Sequence, residues 1–97
     1  MKSEAKLQTK ILQFLRKQGT FVMKTQGGAM GTPIGTPDVI TIDQQGKFLG
    51  LEIKRPDGLG IVSPEQKYNG QKIQATNGRW YVINKWEDFL EVWDEQI

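Results

Sequence analysis

The 97-residue sequence contains no cysteine and no histidine. Zinc sites built from thiolate or imidazole ligands are therefore excluded, as are a cysteine nucleophile and a histidine general base. Any metal ion must be held by oxygen ligands, which favours a hard cation such as Mg²⁺ or Mn²⁺. The side chains left for catalysis are carboxylates, lysine, tyrosine and hydroxyls.

Long apolar runs and a strong charge of one sign are also missing. No run approaches the roughly 20 residues that cross a bilayer, and the first ten residues lack the apolar segment of a signal peptide, so we expect a cytoplasmic protein. The formal charge of +2 is too small to indicate a nucleic-acid partner by itself. With 37% hydrophobic and 25% charged residues, the chain has the composition of a globular domain with one modest core.

Hydrophobic periodicity and turn residues predict seven elements in the order α-β-β-β-α-β-α. In chain order they are a helix over 4–18, strands over 20–24, 38–43 and 47–54, a helix over 64–76, a strand over 79–83 and a last helix after Asn84. Ser63 with Gln66, and Asn84 with Glu87, are capping-box patterns for the last two helices. The Gly-rich stretch 26–35 predicts a loop. We expect one α/β domain over residues 1–97, with a mixed β-sheet flanked by helices on both faces.

Two acids and a lysine share one face of the hairpin predicted by the second and third strands. Glu52 and Lys54 are two residues apart in a strand, so they lie on the same face. Asp38 opens the partner strand, on a face that continues through Ile40 and Ile42 and is therefore not a simple polar surface. An acid on such a face requires a partner. The alternative is a solvated outer face with an incidental ion pair.

Two more polar side chains are predicted to face the body of the protein. At 100° per residue, Glu4 is in line with Leu7 and the rest of the apolar side of the first helix, so its carboxylate should point inward. The alternative for Glu4 is a first-turn acid favoured by the helix dipole. Gln66 also faces inward on the second helix, although it is equally the capping-box partner of Ser63. Both roles of Gln66 stay open.

Carboxylates beside a lysine are the groups that metal-assisted cleavage of a phosphodiester requires. The reaction needs an activated water, in-line attack and shielding of the negative charge that develops on the phosphate. Convergent carboxylates hold divalent ions, and a neighbouring lysine orients or deprotonates the water. The candidates for these roles are Glu4, Asp38, Glu52 and Lys54.

The same residues resemble a known nuclease signature. Pro37-Asp38 followed by Glu52-Ile53-Lys54 resembles the PD-(D/E)xK motif. Over about residues 4–83 the chain is similar, more narrowly, to the virus-type replication-repair nuclease domain, VRR-NUC, of the stand-alone phage and bacterial type. The segments that carry this likeness are Glu4, Gly35-Thr36-Pro37-Asp38, Glu52-Ile53-Lys54-Arg55 and Ser63-Pro64-Glu65-Gln66. An ordered set of such segments is more specific than the PD and ExK pair, which occurs often by chance.

The resemblance implies a restriction-endonuclease-like fold and a Mg²⁺- or Mn²⁺-dependent endonuclease that hydrolyses DNA. It further implies a homodimer that acts on branched DNA such as a Holliday junction, in the cytoplasm of a bacterium or of a phage-infected host cell. Lys54 would serve the attacking water and Gln66 would support the site. The implied metal ligands are Asp38, Glu52, Glu4 and the backbone carbonyl of Ile53.

Basic residues near these motifs are candidates for contacts with DNA phosphates. The predicted DNA-binding set is Lys6, Lys10, Arg55 and Lys67, although such residues often serve solubility alone. Trp80, Trp86 and Trp93 occupy periodic apolar positions, which predicts core packing in preference to base stacking. Three other functions stay open: a nuclease for flaps or duplex DNA, an RNA nuclease, and an inactive DNA-binding accessory protein.

Overall fold

A computed structural model of the chain describes residues 3–25, 31–58 and 60–94. Within them the predicted order of α-β-β-β-α-β-α is confirmed. The helices are α1 (Glu4–Lys17), α2 (Pro64–Ala75) and α3 (Trp86–Asp94), and the strands are β1 (Val22–Lys24), β2 (Val39–Ile42), β3 (Phe48–Ile53) and β4 (Arg79–Ile83). The first part of the predicted loop over 26–35 lies outside the described residues, and its last five residues contain no helix or strand.

The four strands form one mixed sheet in the order β1-β2-β3-β4. β2 pairs with both β1 and β3 in antiparallel fashion, so the predicted hairpin of β2 and β3 is confirmed. β4 lies parallel to β3, with Leu49 opposite Arg79 and Ile53 opposite Ile83. A parallel pair requires a crossover connection, and α2 supplies it. The expected mixed sheet is therefore present.

Side-chain hydrogen bonds fix the register of the hairpin at its turn. The Asp43 Oδ1 atom accepts the backbone N–H groups of Gln45 and Lys47, both at 2.9 Å. Its Oδ2 atom lies 3.4 Å from Nη1 of Arg79, which ties the turn to β4. Gly46 occupies the left-handed region with φ of 82°, where a side chain would be strained. The turn thereby determines which residues of β2 and β3 face each other.

The helix starts agree with the predicted caps at α1 and α2 but not at α3. The Ser3 side chain accepts the N–H of Lys6, and α2 has the complete capping box. α3 begins at Trp86, so Lys85 directly precedes it and the capping pattern predicted from Asn84 is one position too early. β1 is also two residues shorter than predicted at its start, where Thr20 contacts β2 through its hydroxyl, which donates to the Ile42 carbonyl.

The two faces of the sheet have different coverings. Leu49, Leu51 and Ile53 of β3 are fully buried on the face that packs with α1 and α3. The other face carries Glu52 and lies under α2, where Gly70 contacts the Trp80 indole so closely that a Cβ at Gly70 would collide with it. The buried core consists of Leu7, Ile11, Leu12, Leu15, Val39, Leu49, Leu51, Ile53, Ile83, Phe89, Val92 and Trp93. Among the described residues, no helix has both the length and the apolar character that a membrane crossing needs.

Candidate active site

Strand pairing brings Asp38 beside Glu52. Val39 lies opposite Leu51 in the antiparallel register, so the residue before Val39 faces the residue after Leu51. Residues opposite each other on such a pair point to the same face, with Cβ atoms about 4.5 to 5.5 Å apart. The two acids that the sequence predicts on one face are therefore neighbours at the end of the hairpin.

Asp38 is a partly buried carboxyl held by the backbone of the neighbouring strand. Its Oδ2 atom accepts the N–H of Ile53 at 2.8 Å. Burial raises the pKa of Asp38 above its ordinary value, because the charged form loses hydration. The hydrogen bond from Ile53 and the positive charge of Lys54 act in the opposite direction and lower that pKa. Asp38 is thus oriented by the same segment that contains the other predicted site residues.

Glu52 is fully buried, and each of its carboxyl oxygens accepts a hydrogen bond from a neutral side chain. Oε1 accepts from Nε2 of Gln66 at 3.0 Å, and Oε2 accepts from Nε1 of Trp80 at 3.0 Å. Burial, reinforced by the charge of Asp38, raises the pKa of Glu52 to about 7. The bond from Trp80 and the charge of Lys54 oppose this rise without cancelling it. Near neutral pH, Glu52 is therefore partly protonated.

Gln66 joins the lysine and the buried acid through its amide group. Its Oε1 atom accepts from Nζ of Lys54 at 3.0 Å, while its Nε2 atom donates to Glu52. The same Oε1 atom accepts the backbone N–H of Ser63 at 2.9 Å as part of the capping box. Both roles left open for Gln66 are therefore present in one side chain. The cap fixes the amide, and the amide fixes the Lys54 ammonium beside the acids.

Glu4 is exposed, contrary to the inward orientation that its helical phase predicts. It is the first residue of α1, and the first buried residue of that helix is Leu7, so Glu4 extends past the core. It nevertheless lines a cavity of ≈ 390 Å³ together with Asp38, at the edge formed by α1, β1 and the start of β2. The other lining residues are Ala5, Gln8, Thr9, Leu12, Lys24 and Thr25. The role of Glu4 as a metal ligand stays a prediction.

The atoms of Asp38 and Glu52 that could bind a metal ion are carboxyl oxygens, which are hard ligands. Within residues 3–25, 31–58 and 60–94, no three Asp or Glu side chains lie close enough together to form a metal-binding group. Mg²⁺ in proteins is often bound by only one or two carboxylates, with waters and substrate phosphates completing its shell. The paired carboxyls of Asp38 and Glu52 fit such an ion, because a cation would relieve the repulsion that contributes to the raised pKa of Glu52.

The basic residues predicted to contact DNA are all exposed. Arg55 pairs with Asp57 at 2.6 Å on the surface, and Nζ of Lys10 lies 4.4 Å from the centre of the Trp86 ring. Lys6 is one turn before Lys10 on α1, and Lys67 is on α2. Their exposure leaves them available to a ligand, and their contacts with DNA stay predictions.

Trp80 is the site residue that the sequence did not reveal. The three tryptophans were all predicted to be core, yet the Trp80 indole N–H donates to the buried Glu52. One signal was available, since Gly70 interrupts a helix at a cost of roughly 1 kcal/mol and so indicates close packing against a large side chain. A buried indole also requires an acceptor for its N–H group. These two facts together point to a polar partner for one tryptophan without identifying which.

Comparison with known proteins gives no match: no protein-family model fits the sequence, and neither a curated protein nor a solved structure is significantly similar to it. The likeness to the VRR-NUC domain therefore rests on the motifs. Those motifs do converge in space, because Asp38, Glu52, Lys54 and Gln66 are linked by the register and the hydrogen bonds described above.

Proposed function

We propose that the chain is a Mg²⁺- or Mn²⁺-dependent endonuclease that hydrolyses phosphodiester bonds in DNA. The observation that supports this most directly is the pairing of Asp38 with Glu52 next to an ammonium group held by Gln66. An ordinary structural ion pair has no need of a second acid, and here the charge of Asp38 contributes to the raised pKa of Glu52. Such an arrangement is typical of sites that bind a cation or transfer a proton.

The divalent ion, when bound, supplies positive charge to the phosphate and lowers the pKa of the attacking water. Asp38 and Glu52 would hold such an ion through their carboxyl oxygens, and the hydrogen bond from Ile53 keeps the Asp38 carboxyl in its orientation. Lys54 presents an ammonium that orients the water and neutralises developing charge on the phosphate. Gln66 keeps Lys54 in place, so its part in the reaction is positioning.

The preference for branched DNA and the homodimeric state rest on the resemblance of the motifs. A four-way junction has two-fold symmetry, so two symmetric cuts require two copies of a small domain. Stand-alone domains of about this size also gain core area at a symmetric interface. We therefore propose a Holliday-junction-resolving activity as the specific form of the nuclease.

A panel of substrates tests this proposal. Wild-type chain is incubated with a four-way junction, a flap, a nicked duplex and a plain duplex, with Mg²⁺, with Mn²⁺ and with a chelator. We expect cleavage that requires metal and is fastest on the junction, and its loss in Asp38→Asn, which keeps the shape of the side chain. Cleavage that persists in chelator, or that survives Asp38→Asn, would contradict the proposal. Cleavage of the flap or duplex in preference to the junction would change the proposed substrate and leave the proposed metal-dependent nuclease activity in place.

A second candidate, a DNA-binding accessory protein without catalysis, is favoured by the surroundings of Glu52. Both oxygens of that carboxyl are engaged by neutral donors, and the side chain is fully buried. The backbone of Asp38 donates a further hydrogen bond to this carboxyl, so an ion gains access to it only if the site opens. Tight junction binding without cleavage in either metal would favour the accessory protein over the nuclease.

A further inference from the structure

A second cavity lies on the opposite side of α1 from the one that Glu4 and Asp38 line. Its volume is ≈ 310 Å³, near the lower end of the range for small-ligand pockets. The cavity lies where the first turns of α1 meet the segment after β3 and the start of α3. Leu7, Pro56 and Trp86 supply its apolar lining. None of the proposed catalytic residues lines it.

The rim of this cavity is rich in positive charge. Lys6, Lys10 and Lys85 line it, against the single acid Glu87. Within the described parts of the chain, the two ion pairs are Arg55 with Asp57 and Arg79 with Asp43, so none of these three lysines is neutralised by an ion pair. Three ammonium groups around an apolar floor suit a ligand that is anionic at one end and flat and apolar at the other.

A lysine ammonium lies over the Trp86 ring of the aromatic floor. Nζ of Lys10 lies 4.4 Å from the centre of the Trp86 ring, while Phe14 and Phe89 pack against that indole at 5.6 and 5.3 Å between ring centres. A surface ammonium over a ring contributes only about 0.5 to 1 kcal/mol. A flat aromatic ligand can therefore take the place of the Lys10 ammonium, which then remains free to meet an anionic group.

We propose that this cavity binds one unpaired nucleotide of a DNA strand, with the base against Trp86 and the flanking phosphates on the lysines. The inference rests on the proposed function in taking DNA as the partner. A duplex presents its bases edge-on inside grooves, whereas a small concave cavity with an aromatic floor admits a base only from an unpaired strand.

Residues that line the cavity are close in the chain to residues of the candidate active site. Pro56 is two residues from Lys54, and Ser3, which also lines the cavity, is next to Glu4. Consecutive Cα atoms are about 3.8 Å apart, so the cavity begins within about 8 Å of the Lys54 backbone. A strand whose unpaired nucleotide occupies the cavity would therefore pass close to the segment that carries Lys54. The cavity would thus select branched or flapped DNA over plain duplex.

The test compares binding of a short oligothymidylate with binding of a duplex of the same length, in chelator, at several salt concentrations. We expect the double variant Lys10→Gln with Lys85→Gln to bind the single strand more weakly. Its slope of log affinity against log salt should be smaller by roughly 1.4, the value for two lost phosphate contacts on a single strand. Lys17→Gln and Lys72→Gln, exposed lysines outside the cavity, are the matched controls and should keep the wild-type slope.

Variants of Trp86 test separately whether a base stacks on this ring. We expect Trp86→Leu to weaken binding of the oligothymidylate roughly 5- to 150-fold, the loss of one base stack, while Trp86→Phe retains most of the affinity. Thermal melting of each variant checks that the fold is kept, and the lysine variants, which are at the surface, give the result if Trp86→Leu does not fold.

Wild-type affinity and salt slope in the lysine double variant would overturn the inference, and so would equal weakening for single strand and duplex. The nuclease proposal is judged separately by cleavage in Mg²⁺ or Mn²⁺. Cleavage together with unaffected binding by the double variant refutes the cavity alone. Selective loss of single-strand binding without any cleavage supports the cavity and refutes the nuclease.

Discussion

The carboxyl of Glu52 has its pKa raised to about 7, and this has a direct consequence for stability. In the folded chain the group binds a proton more tightly than in the unfolded chain, where the ordinary value of 4.5 applies. The contribution of Glu52 to stability is therefore fully present below about pH 4.5 and decreases as the pH rises toward 7. The difference of about 2.5 units corresponds to a loss on the order of 3 kcal/mol.

Glu52→Gln tests that linkage, because the amide keeps the shape of the side chain without its charge. The amide has one acceptor oxygen where the carboxyl has two, so a hydrogen bond from Gln66 or Trp80 is lost in the variant at every pH. In metal-free buffer we expect the wild type to lose stability relative to the variant as the pH rises from 4.5 to 8, because only the wild type carries the titrating group at this position. Urea unfolding at both pH values measures this change. A stability difference between the two proteins that stays constant from pH 4.5 to pH 8 would show that burial does not raise the pKa of Glu52.

The stabilisation of the wild type and of Glu52→Gln by Mn²⁺ tests whether the ion binds at this carboxyl. An ion bound by Asp38 and Glu52 competes with the proton, so we expect Mn²⁺ to stabilise the wild type more at pH 8 than at pH 5.5. Glu52→Gln should show little of this stabilisation at either pH. Equal stabilisation of both proteins would locate the Mn²⁺ elsewhere.

Lys54 is the residue whose removal separates catalysis from DNA binding. In Lys54→Met we expect single-turnover cleavage to fall about 10²- to 10⁴-fold, the usual contribution of a positioned proton-transfer group. The affinity for an uncleaved junction should change little, because one ammonium among many cations supplies a small part of it. Lys47→Met, at the other end of β3, is the control and should cleave normally. Near-normal cleavage by Lys54→Met would show that a group other than Lys54 orients the attacking water.

Among the elements, α2 has the largest part in forming the site, because it supplies both Gln66 and the close contact of Gly70 with Trp80. The capping box fixes the first turn of α2 and thereby the Gln66 amide. The contact at Gly70 fixes the indole that donates to Glu52. A disturbance at Gly70 should therefore reach the site even though that residue touches no substrate.

Gly70→Ala is the substitution that tests this connection. An alanine is worth about 1 kcal/mol more than glycine in a helix, but the collision with Trp80 should cost about 1 to 3 kcal/mol and shift the indole away from Glu52. We expect a lower midpoint of thermal unfolding and slower cleavage. Gln71→Ala, at the next and exposed position, gives a smaller gain in helix propensity without the collision. A Gly70→Ala protein at least as stable and as active as Gln71→Ala would contradict the role of this contact.

The sequence predicted the elements better than it predicted their contacts. Alternation in β3 and the turn after Asp43 were enough to place Asp38 and Glu52 on one face, because both signals are local. The parallel position of β4 beside β3 was not predicted, and the bond from Trp80 to Glu52 depends on it. Glu4 was given the wrong exposure because helical phase says nothing about where the core ends. Gln66 kept two open roles because only the folded arrangement shows that one amide serves both.

In the whole molecule, the apolar core and the candidate active site lie on different faces of the sheet. The face under α1 and α3 holds the apolar core, while the polar cluster of Asp38, Glu52 and Lys54 lies on the other face. Substitutions of the partly buried Asp38 and Lys54 remove no side chain from the apolar core, which makes inactive but folded variants available for the binding assays. The two cavities beside α1 lie on opposite sides of the first turns of the helix.

The most direct test of the central claim is anomalous diffraction from crystals of the wild-type chain grown with Mn²⁺. We predict an anomalous peak roughly 2.0 to 2.6 Å from carboxyl oxygens of both Asp38 and Glu52, and its absence from crystals of Glu52→Gln. A wild-type crystal with Mn²⁺ bound elsewhere, and no peak between these two carboxyls, would contradict the account.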